Sequence, residues 1–111
     1  MRDDRERLLD ILEAIERIEK YAARGRGGFE RDELVQNWIV HHLEIIGEAT
    51  RSLSETLRSR HPEVDWAEPI GMRNILAHHY FGVDLDQVWS VVMSDLPVFK
   101  STIEAILAEM A

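Results

Sequence analysis

The stretch LVQNWIVHHLEIIGEAT, residues 34–50, decides the fold class of this chain. Its apolar residues recur every three or four positions, which is the spacing of one face of an α-helix. The stripe comprises Leu34, Val35, Trp38, Ile39, His42, Leu43, Ile46, Ala49 and Thr50, and it continues through Leu53 and Leu57. We therefore predict a long helix from residue 29 or 31 to residue 60, because Pro62 disfavours helical backbone at His61.

The same periodicity predicts further helices on both sides of the long one. They cover residues 3–24, residues 65 to 80 or 81, a segment beginning at Asp84, and a last segment after a bend or restart at residues 94–97. Residues 24–28 are rich in glycine and should break the first helix, and Gly82 should stop the third. The third helix can begin with Asp65 in a capping box, or with Glu68 as the cap and Pro69 at the first helical position.

No segment alternates between apolar and polar residues at the period of a β-strand. The 111 residues suffice for one domain and leave no room for a second independent core. The sequence therefore predicts an all-α fold, a single domain over residues 1–111 in which four to five helices form an antiparallel bundle. The wide apolar stripes and three tryptophans favour a homodimer, because they exceed what one such bundle can cover.

The charge of the chain restricts its partners. The sequence carries 21 acidic residues against 13 Lys and Arg, a net charge of −8, so an extended nucleic-acid surface is disfavoured. A small local site remains possible, since Arg51, Arg58, Arg60 and Arg73 lie mid-chain while only Lys100 follows them. The acidic C-terminal third should face water or a basic partner.

Several classes of chemistry and location are disfavoured by what the sequence lacks. There is no cysteine, so disulfides, thiolate catalysis and cysteine-ligated zinc are all excluded. His41 and His42 lie on the long helix without a further ligand at helical spacing, so we expect no metal site, with His42 at the core edge and His41 on the surface. No apolar run approaches the length of a membrane span and the N-terminus has no signal-peptide pattern, so we expect a cytoplasmic protein.

The candidate site is the stretch RNILAHHY, residues 73–80. Arg73 and Tyr80 lie seven residues apart and share a helical stripe, whereas His78 is rotated from Arg73 by about 140° on a regular helix. One interpretation is structural, because histidine near a helix C-terminus interacts well with the helix dipole and tyrosine packs its ring there. The other is chemical. His can move a proton and Arg can neutralise the transition state at a phosphodiester, with Asn74 as a neighbouring amide.

The spacing Arg73-x4-His78-x-Tyr80 resembles the RX4HXY motif of HepT-like toxins in the HEPN superfamily. The resemblance extends over residues 8–97. Residues 43–49 (LEIIGEA) are similar to the family's segment ending in Gly-Glu-Ala, residues 62–66 (PEVDW) and 71–74 (GMRN) to its approach to the motif, and residues 79–84 and 89–97 to its segments at the end of the motif and beyond. Two positions depart from the pattern: Pro69 in the first turn of the helix, and His79, where many relatives carry an acid.

This resemblance implies a metal-independent endoribonuclease toxin of a toxin–antitoxin pair, acting on RNA without a cofactor. Arg73 and His78 would be the catalytic pair, and Asn74 and Glu48 would support them, Glu48 by orienting Arg73. Because His79 places a second imidazole beside His78, the sequence leaves open which of the two titrates in catalysis.

The resemblance also implies partners. The domain would dimerise and place two motifs across one cleft. The antitoxin would be an MNT-type nucleotidyltransferase that silences the toxin by transferring AMP to Tyr80. Two alternatives remain: a non-catalytic binding subunit that partners a nucleotidyltransferase, which the acidic charge also fits, and a helical homodimer without a site.

Overall fold

The helices of this chain follow its apolar stripes, and the computed structural model describes residues 3–78 and 84–110. The side chains of residues 74, 75, 77 and 78 are outside this description. The helices are α1 (Asp4–Ala22), α2 (Gly25–Arg31), α3 (Glu33–Arg51), α4 (Glu55–Arg60), α5 (Ala67–His78), α6 (Leu85–Ser90) and α7 (Leu96–Glu109), with a π-helical turn (Val91–Asp95) joining α6 to α7. The described residues contain no strand, which confirms the predicted all-α class. None of their helices is long and apolar enough to cross a membrane.

The bundle is built around α1 and α3, which run antiparallel. At one end the Asp4 carboxylate accepts hydrogen bonds from the backbone N–H and the hydroxyl of Ser54, at 2.8 and 2.6 Å. At the other end the Trp38 indole N–H donates to the carbonyl of Arg17 at 2.9 Å, and the ring packs edge-on against Tyr21. Between these two fixed ends lies the apolar core. Its fully buried large side chains include Leu8, Ile11, Ile15, Ile18, Ile39 and Ile46.

The long helix predicted to reach residue 60 is interrupted, and that prediction is wrong in this respect. α3 ends at Arg51, and α4 begins again after three residues. The Ser54 hydroxyl caps α4 by accepting from the N–H of Leu57 at 3.1 Å, while Asp4 holds the same serine from the start of α1. Leu57 remains buried, so the apolar stripe continues across the interruption.

The glycine-rich segment was predicted to be a break, and the structure corrects this in part. α1 does end at Ala22, and α2 begins at Gly25, whose φ of +85° is a conformation that residues with a Cβ rarely adopt. The following glycines nevertheless lie within α2. Phe29 of this short helix is 1% exposed and stacks on Trp89 with ring centroids 5.2 Å apart, so tertiary burial compensates for the weak helix propensity.

One predicted helix start is confirmed, and one of two alternative starts is favoured. Asp84 caps α6 by accepting from the N–H groups of Asp86 and Gln87. The Asp65 carboxylate accepts from the N–H of Glu68 at 3.3 Å, which favours the Asp65 register for α5. The last helix begins at Leu96, within the predicted residues 94–97, and the π-helical turn leads into it without a non-helical residue between them. The predictions for Gly82 and for a helix end at residues 80–81 lie outside the described residues.

Candidate functional site on α5

The candidate site begins where α5 crosses α3 at Gly47. An ideal Cβ built on Gly47 would lie 2.2 Å from the Cβ of Arg73 and 2.6 Å from the carbonyl oxygen of Pro69. Real atoms do not approach so closely, so only glycine permits this crossing. The missing side chain lets the backbone of α3 lie directly against the α5 turn that carries Arg73.

Arg73 is held beside a carboxylate of the same crossing. Its Nε lies 3.4 Å from Oε2 of Glu48, and the two side chains are 31% and 53% exposed. An ion pair with this exposure contributes little to stability, about 0.2–1 kcal/mol. Its consequence is therefore mainly geometric, since the carboxylate restricts a long side chain that an anion in solvent can still reach. The prediction that Glu48 orients Arg73 agrees with this contact.

The same helix carries the motif as far as His78. α5 is α-helical from Ala67 to His78, so the backbone positions of Arg73 and His78 differ by about 140° around the axis. The side chains of Asn74 and His78 lie outside the described residues, as do His79 and Tyr80 entirely. Among the described side chains of the predicted site, the structure thus brings Arg73 together with Glu48.

A groove between α1 and α3 reaches the same ion pair. It encloses about 490 Å³ and its walls include Arg7, Arg17, His42 and Glu48. His42 is 5% exposed, as expected for the core edge, and its Nδ1 lies 2.7 Å from the carbonyl of Trp38. Because a carbonyl only accepts, Nδ1 carries the proton in this contact. His41 is exposed, as predicted.

Two features of this region were not predicted from the sequence. Arg7 and Arg17 lie on the first helix, and their periodicity alone identifies them only as surface residues. Gly47 was noticed as part of a Gly-Glu-Ala pattern, but its role at the crossing follows only from the packing of α5 on α3. No local signal in α3 reveals which helix will lie there.

Metal-ligating side chains are not clustered in the part of the chain that the structure describes. No group of three or more His, Asp or Glu side chains within residues 3–78 and 84–110 is arranged to hold a metal ion. The Arg73–Glu48 pair offers different chemistry. A guanidinium is a fixed cation whose fork of N–H groups matches phosphate oxygens, so this position can bind a phosphodiester and stabilise added negative charge.

Comparison with known proteins shows a family match over most of the chain. The model of the family described as "Ribonuclease HepT-like" matches residues 11–106. A Methanocaldococcus jannaschii protein named "Putative RNase MJ1380" is 35% identical over 106 residues, covering 95% of this chain and 97% of that protein. A Thermococcus cleftensis protein named "Probable ribonuclease HepT" is 38% identical over 104 residues, covering 93% and 94%. No solved structure matches the chain significantly.

Proposed function

Because the chain belongs to the ribonuclease HepT-like family, we propose that it is an endoribonuclease whose catalytic centre lies on α5. The observation that carries the proposal is the crossing at Gly47, where Arg73 is held 3.4 Å from Glu48 and is still partly exposed. Those two residues and His78 lie within the matched region, and the relatives described above are named as ribonucleases.

The proposed chemistry divides the work between a cation and a proton carrier. Arg73 binds the scissile phosphate and neutralises the charge that builds on its oxygens in the transition state. His78 moves a proton, because imidazole alone among side chains titrates near neutral pH without perturbation. Asn74 and Glu48 position these groups, and His79 is the second candidate for the proton transfer. We propose, from the family resemblance, that cleavage is independent of metal.

The proposal extends to regulation through the resemblance noted in the sequence. Two copies of the chain would form a homodimer with both motifs in one cleft. A nucleotidyltransferase antitoxin would transfer AMP from ATP to the Tyr80 hydroxyl, with pyrophosphate leaving. The attached phosphodiester anion would pair with Arg73, and the nucleoside would block access to His78. The toxin would thus be silenced without a change of fold.

Substitution of the proposed catalytic pair tests the ribonuclease activity. We expect Arg73→Ala and His78→Ala each to abolish RNA cleavage while the circular-dichroism spectrum stays helical, and cleavage by the unmodified chain to persist in EDTA. Arg5→Ala and His41→Ala are matched controls, because both residues are exposed and lie outside the site. Full activity in both Arg73→Ala and His78→Ala would refute the catalytic assignment. Cleavage that EDTA abolishes would refute metal independence.

Modification of Tyr80 is tested separately. The chain is incubated with ATP, magnesium and a candidate nucleotidyltransferase, and the Tyr80 peptide is analysed by mass spectrometry. We expect the added mass of AMP on that peptide, and resistance of Tyr80→Phe to silencing. Neutralisation without any modification would instead favour inhibition by simple binding of the nucleotidyltransferase.

A further inference from the structure

A second cavity lies between α3, α5 and α7. It encloses about 270 Å³. Leu43 and Ile46 of α3, Met72 of α5 and Phe99 of α7 form its apolar walls. A cavity of about 150 Å³ in a protein interior suffices for a benzene molecule, so this one can accept a large aliphatic or aromatic side chain.

The rim of this cavity is acidic. Glu63, Asp65, Glu68 and Asp95 all line it, and no Lys, Arg or His does so among the described residues. A hydrogen bond between the Glu68 and Asp95 side chains raises the pKa of Glu68, with partial burial and the charge of Asp95 adding to the effect. The four carboxylates and the raised pKa of Glu68 together show that negative charge is concentrated at this rim.

An exposed apolar residue extends the cavity onto the surface. Val98 of α7 lines it and is 68% exposed. An aliphatic side chain left in water beside an open apolar cavity marks a surface that gains by being covered. The negative charge of the rim restricts which partners can cover this surface.

We propose that this cavity is a docking site for a partner protein that inserts one apolar side chain flanked by Lys or Arg. Burial of the apolar side chain supplies the attraction, and the flanking cations neutralise the rim. Charge argues against the two other occupants. A second copy docked through a twofold contact would bring two acidic rims together, and an RNA strand would bring phosphates to them. The site is independent of the proposed RNA cleavage.

Binding of defined peptides to the full chain tests this proposal. The probe is a fluorescein-labelled peptide with a central Phe flanked by two Lys on each side. One control peptide has Glu in place of Lys, and another has Ala in place of Phe. We expect saturable binding of the probe alone, weakened by added salt, with NMR shifts at Met72 and Thr102 that line the cavity.

Matched variants separate the rim from the overall charge. Glu68→Gln with Asp95→Asn removes two rim charges, whereas Glu33→Gln with Glu55→Gln removes two exposed charges elsewhere. We expect the first pair to weaken probe binding about fivefold or more, within the range for two exposed charge pairs, and the second to change it little. Equal losses in both variants, equal binding of the Glu peptide, or shifts at other residues would overturn the proposal. So would self-association of the chain that by itself covers Met72, which would assign the cavity to a second copy.

Discussion

The two faces of α3 are packed in opposite ways. Towards α1 the helices are separated by a layer of aliphatic side chains, and α1 alone buries Leu8, Ile11, Ala14, Ile15 and Ile18. Towards α5 the backbone of Gly47 lies against Arg73 with no side chain between. The first contact obtains stability from burial, at about 1.5–3 kcal/mol for each large aliphatic side chain. At the second contact Gly47 has no side chain to bury, and the close approach of the two backbones fixes the position of the charged residue Arg73.

The largest expected effect comes from a substitution in the core between α1 and α3. Ile15→Asp places a carboxylate without a partner at a position that is 1% exposed, and should cost more than about 4 kcal/mol. Since a domain of this size is stable by about 5–15 kcal/mol, much of the fold should be lost. Leu9→Asp on the same helix is the control, because Leu9 is 38% exposed. Urea denaturation followed by circular dichroism measures both, and comparable destabilisation of the two variants would contradict the assigned core.

A smaller effect should appear at the α5 crossing. In Gly47→Ala the new Cβ must displace Arg73 and Pro69, and overpacking of this kind costs about 1–3 kcal/mol. Gly71→Ala is the matched control, because nothing lies within 4 Å of its added Cβ. That variant should be more stable by about 0.5–1 kcal/mol, the usual gain for alanine over glycine in a helix. If Gly47→Ala were as stable as Gly71→Ala, the close crossing would be wrong.

Most of the α1–α3 half was predictable from the sequence. The predictions that were wrong there have one cause, which is contact between residues far apart in the sequence. The helix predicted over residues 3–24 is observed as Asp4–Ala22, because the apolar spacing and the cap are local signals. The interruption before α4 escaped prediction since it depends on Asp4 contacting Ser54, fifty positions along the chain. The helical state of the residues before Phe29 escaped it because the burial of Phe29 against Trp89 is also a contact across the sequence.

The candidate site likewise has one part that was predictable from the sequence and one part that was not. The motif residues were predicted from their types and spacing together with the family resemblance. The family match confirms the family, and the roles of these residues stay predictions. The position of Arg73 relative to α3 could not be read from either helix. It depends on which face of α3 lacks a side chain at the crossing and on which turn of α5 lies there.

A substitution of Glu48 tests the orientation of Arg73 without disturbing the packing of α5 on α3. Glu48→Gln keeps the shape of the side chain and removes its charge, so stability should change by less than about 1 kcal/mol. Under the proposed function, kcat should fall several-fold through misplacement of Arg73, with the helical spectrum unchanged. Glu44→Gln on the same helix is the control, and cleavage assays at varied RNA concentration measure both. Wild-type kcat in Glu48→Gln would leave the ion pair without a role in positioning.

The smallest expected effect concerns the acidic pair that joins α5 to the π-helical turn. The pKa of Glu68 is raised, first by its hydrogen bond with Asp95 and then by partial burial. The folded chain therefore binds this proton more tightly than the unfolded chain. The resulting stabilisation is fully present below the unfolded pKa of about 4.3 and is lost as the pH rises through the higher folded value.

Glu68→Gln should remove this pH dependence. Its amide can donate to Asp95 at any pH, so the variant should match the unmodified chain near pH 4 and exceed its stability at pH 7 by no more than about 0.5 kcal/mol, as expected at an exposed position. Urea midpoints at the two pH values measure the difference, with Glu33→Gln as a control for net charge. A stability difference that is the same at both pH values would contradict the raised pKa of Glu68.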